Sequence, residues 1–171
     1  DGDWSSDVCS SDLVGETKDE LGGSEYLAFK GLSGGNVPTV DFPNARKLYT
    51  ALATAIQKGH VGSCHDCSDG GLGVALAESA FGGGLGISVD LAKLGLASNA
   101  AALFSESQSR FVVTVGPGGT EAFEALFSGL PLYRLGEVRA DDAFHVTGVG
   151  GLEANVPIAQ LRTAWKKPMQ W

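Results

Sequence analysis

The sequence predicts an α+β fold in which helices pack on a mixed β-sheet. Two observations lead to this prediction: alternating or β-branched apolar residues at 85–91 and 111–115 are typical of strands, and apolar residues spaced by three and four over 42–58 are typical of an amphipathic helix. Strand and helix patterns are interleaved along the chain, which favours one mixed sheet covered by helices.

The remaining elements are predicted from shorter signals. Further strands are expected at 13–17, where only the end of a strand is visible, and at 61–67, 133–138 and 143–149. Further helices are expected at 22–29, 73–81, 97–103, 118–127 and 158–165. Ser24 is the expected amino-terminal cap of the first of these helices. Residues 148–151 contain three glycines and are interpreted as a turn between the last strand and the closing helix.

Composition restricts the class of protein. With 171 residues, of which 43% are hydrophobic, the chain can form one domain with an ordinary core. Its formal net charge of −8 argues against binding to nucleic acid or an anionic membrane surface, because both need a basic patch. Three cysteines do not make a disulfide framework, and no secretory signal or membrane span is visible in the sequence. These features predict a cytoplasmic protein.

The first residues differ in character from the rest. Residues 1–12 are rich in serine and aspartate and lack the alternation that a buried strand requires. We therefore expect residues 1–13 to be a non-native or disordered leader and residues 14–171 to form the domain.

The segment from His65 to Leu72 is the strongest candidate site in the sequence. It places a histidine, two carboxylates, a hydroxyl and two glycines between a predicted strand and a predicted helix. The backbone amides of Gly70, Gly71 and Leu72 would lie at the positive end of that helix, where an anion is favoured. The structural alternative is that Ser68 or Asp69 only caps the helix while His65 makes a buried hydrogen bond.

Cys64 and Cys67 also permit a zinc or redox interpretation. A structural zinc site needs four ligands, and the sequence offers no second pair of cysteines or histidines. A redox pair would normally have its helix begin inside the motif. We therefore expect no metal at this site and interpret Cys67 as a small buried hydrophobic residue.

Three motifs in a fixed order resemble one enzyme family. They are Gly15-Glu-Thr-Lys-Asp-Glu-Leu-Gly-Gly-Ser-Glu-Tyr-Leu27, the segment from His65 to Leu76, and Leu103-Phe-Ser-Glu-Ser-Gln-Ser-Arg-Phe-Val-Val113. Together with the closing Leu161-Arg-Thr-Ala-Trp165, they resemble the synthetase subunit of phosphoribosylformylglycinamidine synthase. The resemblance runs from about Val14 to Trp165.

This resemblance implies a fold and a reaction. The fold would be the carboxy-terminal domain of an aminoimidazole ribonucleotide synthetase-like unit. The family's reaction converts formylglycinamide ribonucleotide, ATP and glutamine-derived ammonia into formylglycinamidine ribonucleotide, with Mg²⁺ serving the ATP. The preceding synthetase domains and a separate glutaminase subunit would be its partners. A fragment of this kind is expected to be inactive alone, with no cofactor of its own.

The resemblance also implies a substrate-binding set, whereas the catalytic residues remain unassigned. The set contains His65, Asp66, Ser68, Asp69, Gly70, Gly71, Ser105, Glu106, Ser107 and Arg110. Ser68 and the glycine amides would contact the substrate while His65 and Asp66 orient them. For Arg110 three roles stay open: an ion pair with Glu106, a contact to Asp66 or Asp69, or a bidentate contact to the substrate phosphate.

Two other functions remain possible from the sequence. One is another ATP-dependent enzyme of the same superfamily, against which the Leu-Gly-Gly-Ser-Glu-Tyr string at 21–26 argues. The other is a stand-alone ligand-binding or interaction module without catalysis.

Overall fold

The computed structural model describes residues 9–169. Within them, the strands are β1 Ser10–Val14, β2 Ser63–Asp66, β3 Gly86–Asp90, β4 Phe111–Val115, β5 Leu132–Arg139, β6 Ala143–Thr147 and β7 Glu153–Pro157. The helices are α1 Glu25–Lys30, α2 Phe42–Gln57, α3 Gly71–Gly83, α4 Asn99–Phe104, α5 Thr120–Leu126 and α6 Ile158–Lys166. A mixed sheet with helices packed on it is therefore confirmed.

The described strands form one sheet in the order β2-β4-β1-β5-β3-β6-β7. The pair β3–β6 is parallel, and the other neighbours are antiparallel. Strand β1 therefore lies inside the sheet, between β4 and β5, whereas β2 is an edge strand. The candidate segment at 65–72 begins on this edge.

Helices cover both faces of the sheet, because successive side chains of a strand point to opposite sides. Leu13 and Val112 contribute to a core with α3, α4 and α6, and their chain neighbours Val14 and Val113 contribute to a second core with α2 and α5. The helix starts agree with local signals: Ser24 caps α1 and Asp41 caps α2 through side-chain hydrogen bonds.

The prediction that the polar amino-terminal segment cannot form a buried strand is wrong for residues 10–12. Ser10–Val14 pairs with both β4 and β5, and Leu13 and Val14 are fully buried. Backbone hydrogen bonds from two neighbours form this strand in spite of its side chains. Residues 1–8 of the predicted leader lie outside the described residues, and the non-native origin of the leader stays a prediction.

Strand β7 was not predicted. Its sequence, Glu-Ala-Asn-Val-Pro, has a weak strand pattern, and its side chains alternate only between half-buried and exposed. It pairs with β6 alone, at the edge of the sheet, where burial imposes little selection on composition.

Candidate functional site

The turn between β2 and α3 depends on two glycines in the left-handed region. Gly70 has φ +79° and Gly71 has φ +65°. A β-carbon on Gly70 would collide with the Val74 side chain, and one on Gly71 would collide with the Ser105 carbonyl oxygen. The second collision shows that the turn packs directly against the loop that follows α4.

Three of the predicted site residues, Asp66, Ser68 and Asp69, are exposed on this turn, and His65 is half-buried beside them. The Ser68 hydroxyl donates a hydrogen bond to Asp66 Oδ2. This bond lowers the pKa of the Asp66 carboxyl below its ordinary value, so Asp66 is ionised near neutral pH. Neither Ser68 nor Asp69 makes a side-chain cap bond to α3.

His65 makes contacts on both sides of its ring. Its Nδ1 lies 2.7 Å from the backbone oxygen of Asp66, and its Nε2 lies 3.3 Å from Oε2 of Glu78 on α3. The other Glu78 oxygen accepts a 2.7 Å hydrogen bond from the indole Nε1 of Trp165 on α6. The sequence interpretation missed Glu78 and Trp165. Glu78 is the only charged residue of α3, which was the one available signal.

The amides of Gly70 and Gly71 make internal hydrogen bonds. The Gly70 amide donates to Oε1 of Glu106 at 2.9 Å, and the Gly71 amide donates to the Ser68 carbonyl at 2.9 Å. The same Glu106 oxygen also accepts from the Glu25 amide at 2.9 Å, at the start of α1. A carboxylate of the chain itself therefore lies where two helices begin, as the helix dipole favours.

Ser105 and Ser107 are buried and hold the first motif in place. The Glu20 amide donates to the Ser105 hydroxyl at 3.2 Å, and the Lys18 amide donates to the Ser107 hydroxyl at 3.1 Å. The three motifs that were recognised in the sequence therefore meet in space through direct hydrogen bonds.

Arg110 lies inside this assembly, with 1% of its surface exposed. Its guanidinium donates to the carbonyls of Ser105 and Ser107 and, at 3.0 Å, to the Thr17 hydroxyl. Burial lowers the pKa of the guanidinium, although Glu20 and Glu106 oppose this effect. Within residues 9–169 Arg110 forms no ion pair with Glu106, Asp66 or Asp69. The two predicted carboxylate contacts of Arg110 are therefore not formed, and its predicted contact to the substrate phosphate stays a prediction. The observed hydrogen bonds show that Arg110 holds the loop in place.

Cys67 is buried, as predicted, and burial raises its pKa to about 11. Cys64 is exposed, and both thiols are free. Among the residues that the structure describes, no group of three or more His, Cys, Asp or Glu side chains is arranged to hold a metal ion.

A groove of about 970 Å³ opens beside His65. It lies between the carboxyl half of α3, the sheet and the turn after β5, and its lining includes His65, Glu78, Gly83, Val112, Thr114 and Asp141. Its volume is within the range of small-molecule pockets, roughly 300–1,000 Å³. Arg139 and Asp141 form an exposed ion pair of 2.6 Å near its far end.

The family model described as AIR synthase related protein, C-terminal domain, matches residues 12–149. The chain belongs to this family. This is the family whose fold was expected from the sequence. The match begins inside β1, two residues before the predicted domain boundary at residue 14.

Curated relatives of this AIR synthase related domain confirm the resemblance to one enzyme. The chain is 38% identical over 156 residues to phosphoribosylformylglycinamidine synthase subunit PurL of Limosilactobacillus reuteri, and 36% identical over 154 residues to that of Deinococcus radiodurans. These alignments cover 91% and 89% of this chain but 20% and 21% of the relatives. The chain therefore spans about a fifth of the length of the curated relatives it matches.

Solved structures confirm the fold of the AIR synthase related domain. PurL of Thermotoga maritima complexed with FGAR has a TM-score of 0.74 at 22% identity and covers 90% of this chain, which spans 27% of that chain. The hydrogenase maturation protein HypE of E. coli has a TM-score of 0.61 at 17% identity, over 88% of this chain and 49% of that one. Among residues 9–169, none of the helices of this domain has the length and apolar character that a membrane-spanning segment requires.

Proposed function

We propose that this chain is the carboxy-terminal, AIR synthase-like part of a phosphoribosylformylglycinamidine synthase and helps to bind the phosphate of the ribonucleotide substrate. Two observations support the enzyme: family membership and 36–38% identity to PurL subunits over most of the chain. The reaction is the ATP-dependent formation of an amidine in purine biosynthesis. Because the chain spans only a fifth of those relatives, we expect no turnover from it alone.

One observation carries the binding role. The cap residue and the first two residues of α3, Gly70 to Leu72, are buried, and no side chain caps this helix. Asp66, Ser68 and Asp69 are exposed on the turn before it. Helix starts are common anion sites, because the helix dipole is positive there. The Gly70 and Gly71 amides already donate to Glu106 and Ser68, so the dipole and the exposed Ser68 hydroxyl are the features that favour the phosphate here. The buried residues Ser105, Ser107 and Arg110 support the turn from behind and contribute rigidity.

The exposed groups of the turn differ in charge and therefore in the groups of the substrate that they can contact. The Asp66 carboxyl, whose pKa is lowered, repels a phosphate when ionised. We therefore assign Asp66 and its neighbour Asp69 to hydroxyl or amide groups of the substrate, which can donate hydrogen bonds to carboxylates. The Ser68 hydroxyl is the side-chain group at the turn that we assign to donate to a phosphate, because both His65 nitrogens face oxygens of the chain itself. Ser68 then has to exchange its bond to Asp66 for one to the ligand.

Cofactor and partners follow from the proposed enzyme. Solved PurL structures similar in fold include one complexed with ATP and one described as PurLQS. We propose that ATP and Mg²⁺ are used by the full enzyme, that the preceding synthetase domains complete the active site, and that a separate glutaminase subunit supplies ammonia. The proposed setting is the cytoplasm.

The binding role can be tested on the chain as it exists. We would titrate it with ribose 5-phosphate and, as a comparison, with ribose, and follow backbone amide resonances by NMR. Saturable shifts at Ser68 and Gly70 with the phosphate ester alone support the proposal. Ser68→Ala is expected to weaken binding about fivefold, equivalent to one hydrogen bond of ~1 kcal/mol.

Ser128→Ala is the matched control, because Ser128 is exposed at the end of α5 and distant in sequence from the turn. It should leave the affinity unchanged. No saturable shift in the parent chain, or equal weakening by both alanine substitutions, would contradict the proposed site. A purely structural module predicts no shifts at all.

A further inference from the structure

Three side chains from different elements form a line of polar contacts that ends at the candidate site. The Trp165 indole on α6 donates to Glu78 on α3 at 2.7 Å. The second oxygen of Glu78 faces His65 Nε2 at 3.3 Å, and His65 Nδ1 lies 2.7 Å from the Asp66 backbone oxygen. The line connects β2 and α3, which follow each other in the chain, to the distant helix α6.

The chemistry of the acceptors defines the orientation of the His65 ring. A carbonyl oxygen can only accept, so the contact to Asp66 requires a proton on Nδ1. Oε2 of Glu78 lies 3.3 Å from Nε2 and forms an ion pair with the ring when the ring is protonated. The ring orientation that faces Asp66 and Glu78 is thus stabilised at both nitrogens, and a flipped ring would place carbon atoms against these oxygens.

Helix α6 in turn restricts the Glu78 carboxylate. Trp165 occupies one of its oxygens, and the Trp165 ring packs against Phe81 with centroids 5.6 Å apart. Arg162 of the same helix donates to the Phe81 carbonyl. The side chains of Glu78 and His65 keep 25% and 37% of their exposure, so the pair lies at the boundary between the core and the groove.

We propose that Glu78 and Trp165 are positioning residues for His65. They hold its ring towards the groove and fix the backbone at Asp66, from which Ser68 and the turn project. The effect on phosphate binding rests on the proposed function, because only there does the turn that His65 supports bind the ligand. Neither residue contacts the exposed groups Ser68 and Asp69 directly, so both act through His65.

The chain contains a matched control pair. His145 on β6 faces Glu153 on β7, with Nε2 and Oε1 3.4 Å apart, and this pair lies at the opposite edge of the sheet from β2. Glu153→Gln changes a histidine partner in the same way as Glu78→Gln, but away from the turn.

Imidazole ¹⁵N NMR gives a readout that a merely structural role would not move. In the parent chain, Nδ1 of His65 is expected to carry a proton. In Glu78→Gln, the amide oxygen keeps the Trp165 bond and the amide NH₂ faces Nε2, so the Nε2 resonance is expected to move towards the unprotonated, hydrogen-bond-accepting value. Trp165→Phe is expected to cause a smaller shift. Glu153→Gln should shift only His145.

The second measurement is the affinity for ribose 5-phosphate. Glu78→Gln is expected to weaken it three- to tenfold, Trp165→Phe less, and Glu153→Gln not at all. An unchanged His65 signature in both Glu78→Gln and Trp165→Phe overturns the proposal, as does an unchanged affinity when the signature moves. If the parent chain shows no saturable binding, the proposed function fails, and the ¹⁵N signature alone still decides whether Glu78 and Trp165 position His65.

Discussion

Glu106 and Gly70 are 36 positions apart in the chain, yet one oxygen of the Glu106 carboxylate lies 2.9 Å from the Gly70 amide nitrogen. The same oxygen accepts from the Glu25 amide, which opens α1. One side chain therefore joins the beginnings of two helices and links all three sequence motifs. This contact explains how exposed groups on the turn after β2 share a rigid frame with residues that lie far away in sequence.

Removal of the Glu106 carboxylate should loosen both helix starts together. Glu106→Ala leaves two amides without their acceptor, so we expect a loss of about 1–3 kcal/mol in the free energy of unfolding. Glu106→Gln keeps a weaker acceptor and should lose less. Hydrogen exchange at Gly70 and Glu25 would be measured; both amides should exchange faster in Glu106→Ala. Asp69→Ala serves as the control, and acceleration of one amide only would contradict a shared acceptor.

The close approach of Gly71 to the loop after α4 predicts an unequal effect of two glycine substitutions. Gly71 and Gly84 both have positive φ, +65° and +67°, but a β-carbon would strike backbone atoms only at Gly71. Gly84→Ala should cost about 1 kcal/mol for the backbone conformation. Gly71→Ala should cost at least ~2 kcal/mol more. Urea unfolding of the two variants measures the difference, and equal losses would show that the turn does not pack this tightly.

Because of the donor geometry of Arg110, we expect that a lysine, which has the same charge, cannot replace it. Its guanidinium reaches three acceptors on two segments, whereas a lysine ammonium at this position cannot span them. Arg110→Lys should therefore lower the free energy of unfolding by about 2–4 kcal/mol. Arg46→Lys on the exposed side of α2 is the control and should have little effect. A similar midpoint of denaturation for both variants would refute the loop-holding role.

Replacement of the buried Asp12 by asparagine is expected to increase stability in a pH-dependent way. It is buried in β1 with Oδ1 unpaired, and burial raises the pKa of its carboxyl above 3.8. The folded state binds this proton more tightly than the unfolded chain, so the cost of the charge is absent below pH 3.8 and develops as the pH rises through the folded-state pKa. Asp12→Asn should raise the free energy of unfolding by about 1–2 kcal/mol at neutral pH.

Urea unfolding at two pH values checks this sign. The difference between Asp12→Asn and the parent chain should shrink towards zero when both are measured near the unfolded pKa of 3.8. Asp141→Asn is a control with the opposite sign, because Arg139 lowers the pKa of that exposed carboxyl. This substitution is not expected to stabilise the chain at neutral pH. A gain for Asp12→Asn that is independent of pH would mean that desolvation of the charge is not its cause.

Local patterns were sufficient for most elements of this fold. The β-branched run at 111–115 matches β4 residue for residue, and the helical spacing over 42–58 matches α2 and its cap. In both, the side chains that create the pattern are those that the sheet and its helices bury. The order of the strands had no such signal, because pairing depends on contacts between residues that are far apart in the chain.

The candidate site shows the same division. Residue types and spacing identified the turn at 65–71, since glycines with positive φ and polar groups before a helix are local requirements. The roles of Arg110 and Glu106, the positioning contacts of Glu78 and Trp165, and the burial of Ser10–Val14 depend on which segments pack against them. Short-range sequence carries backbone preferences and hydrophobic periodicity, whereas hydrogen-bond partners and desolvation arise only when distant segments come together in the folded chain.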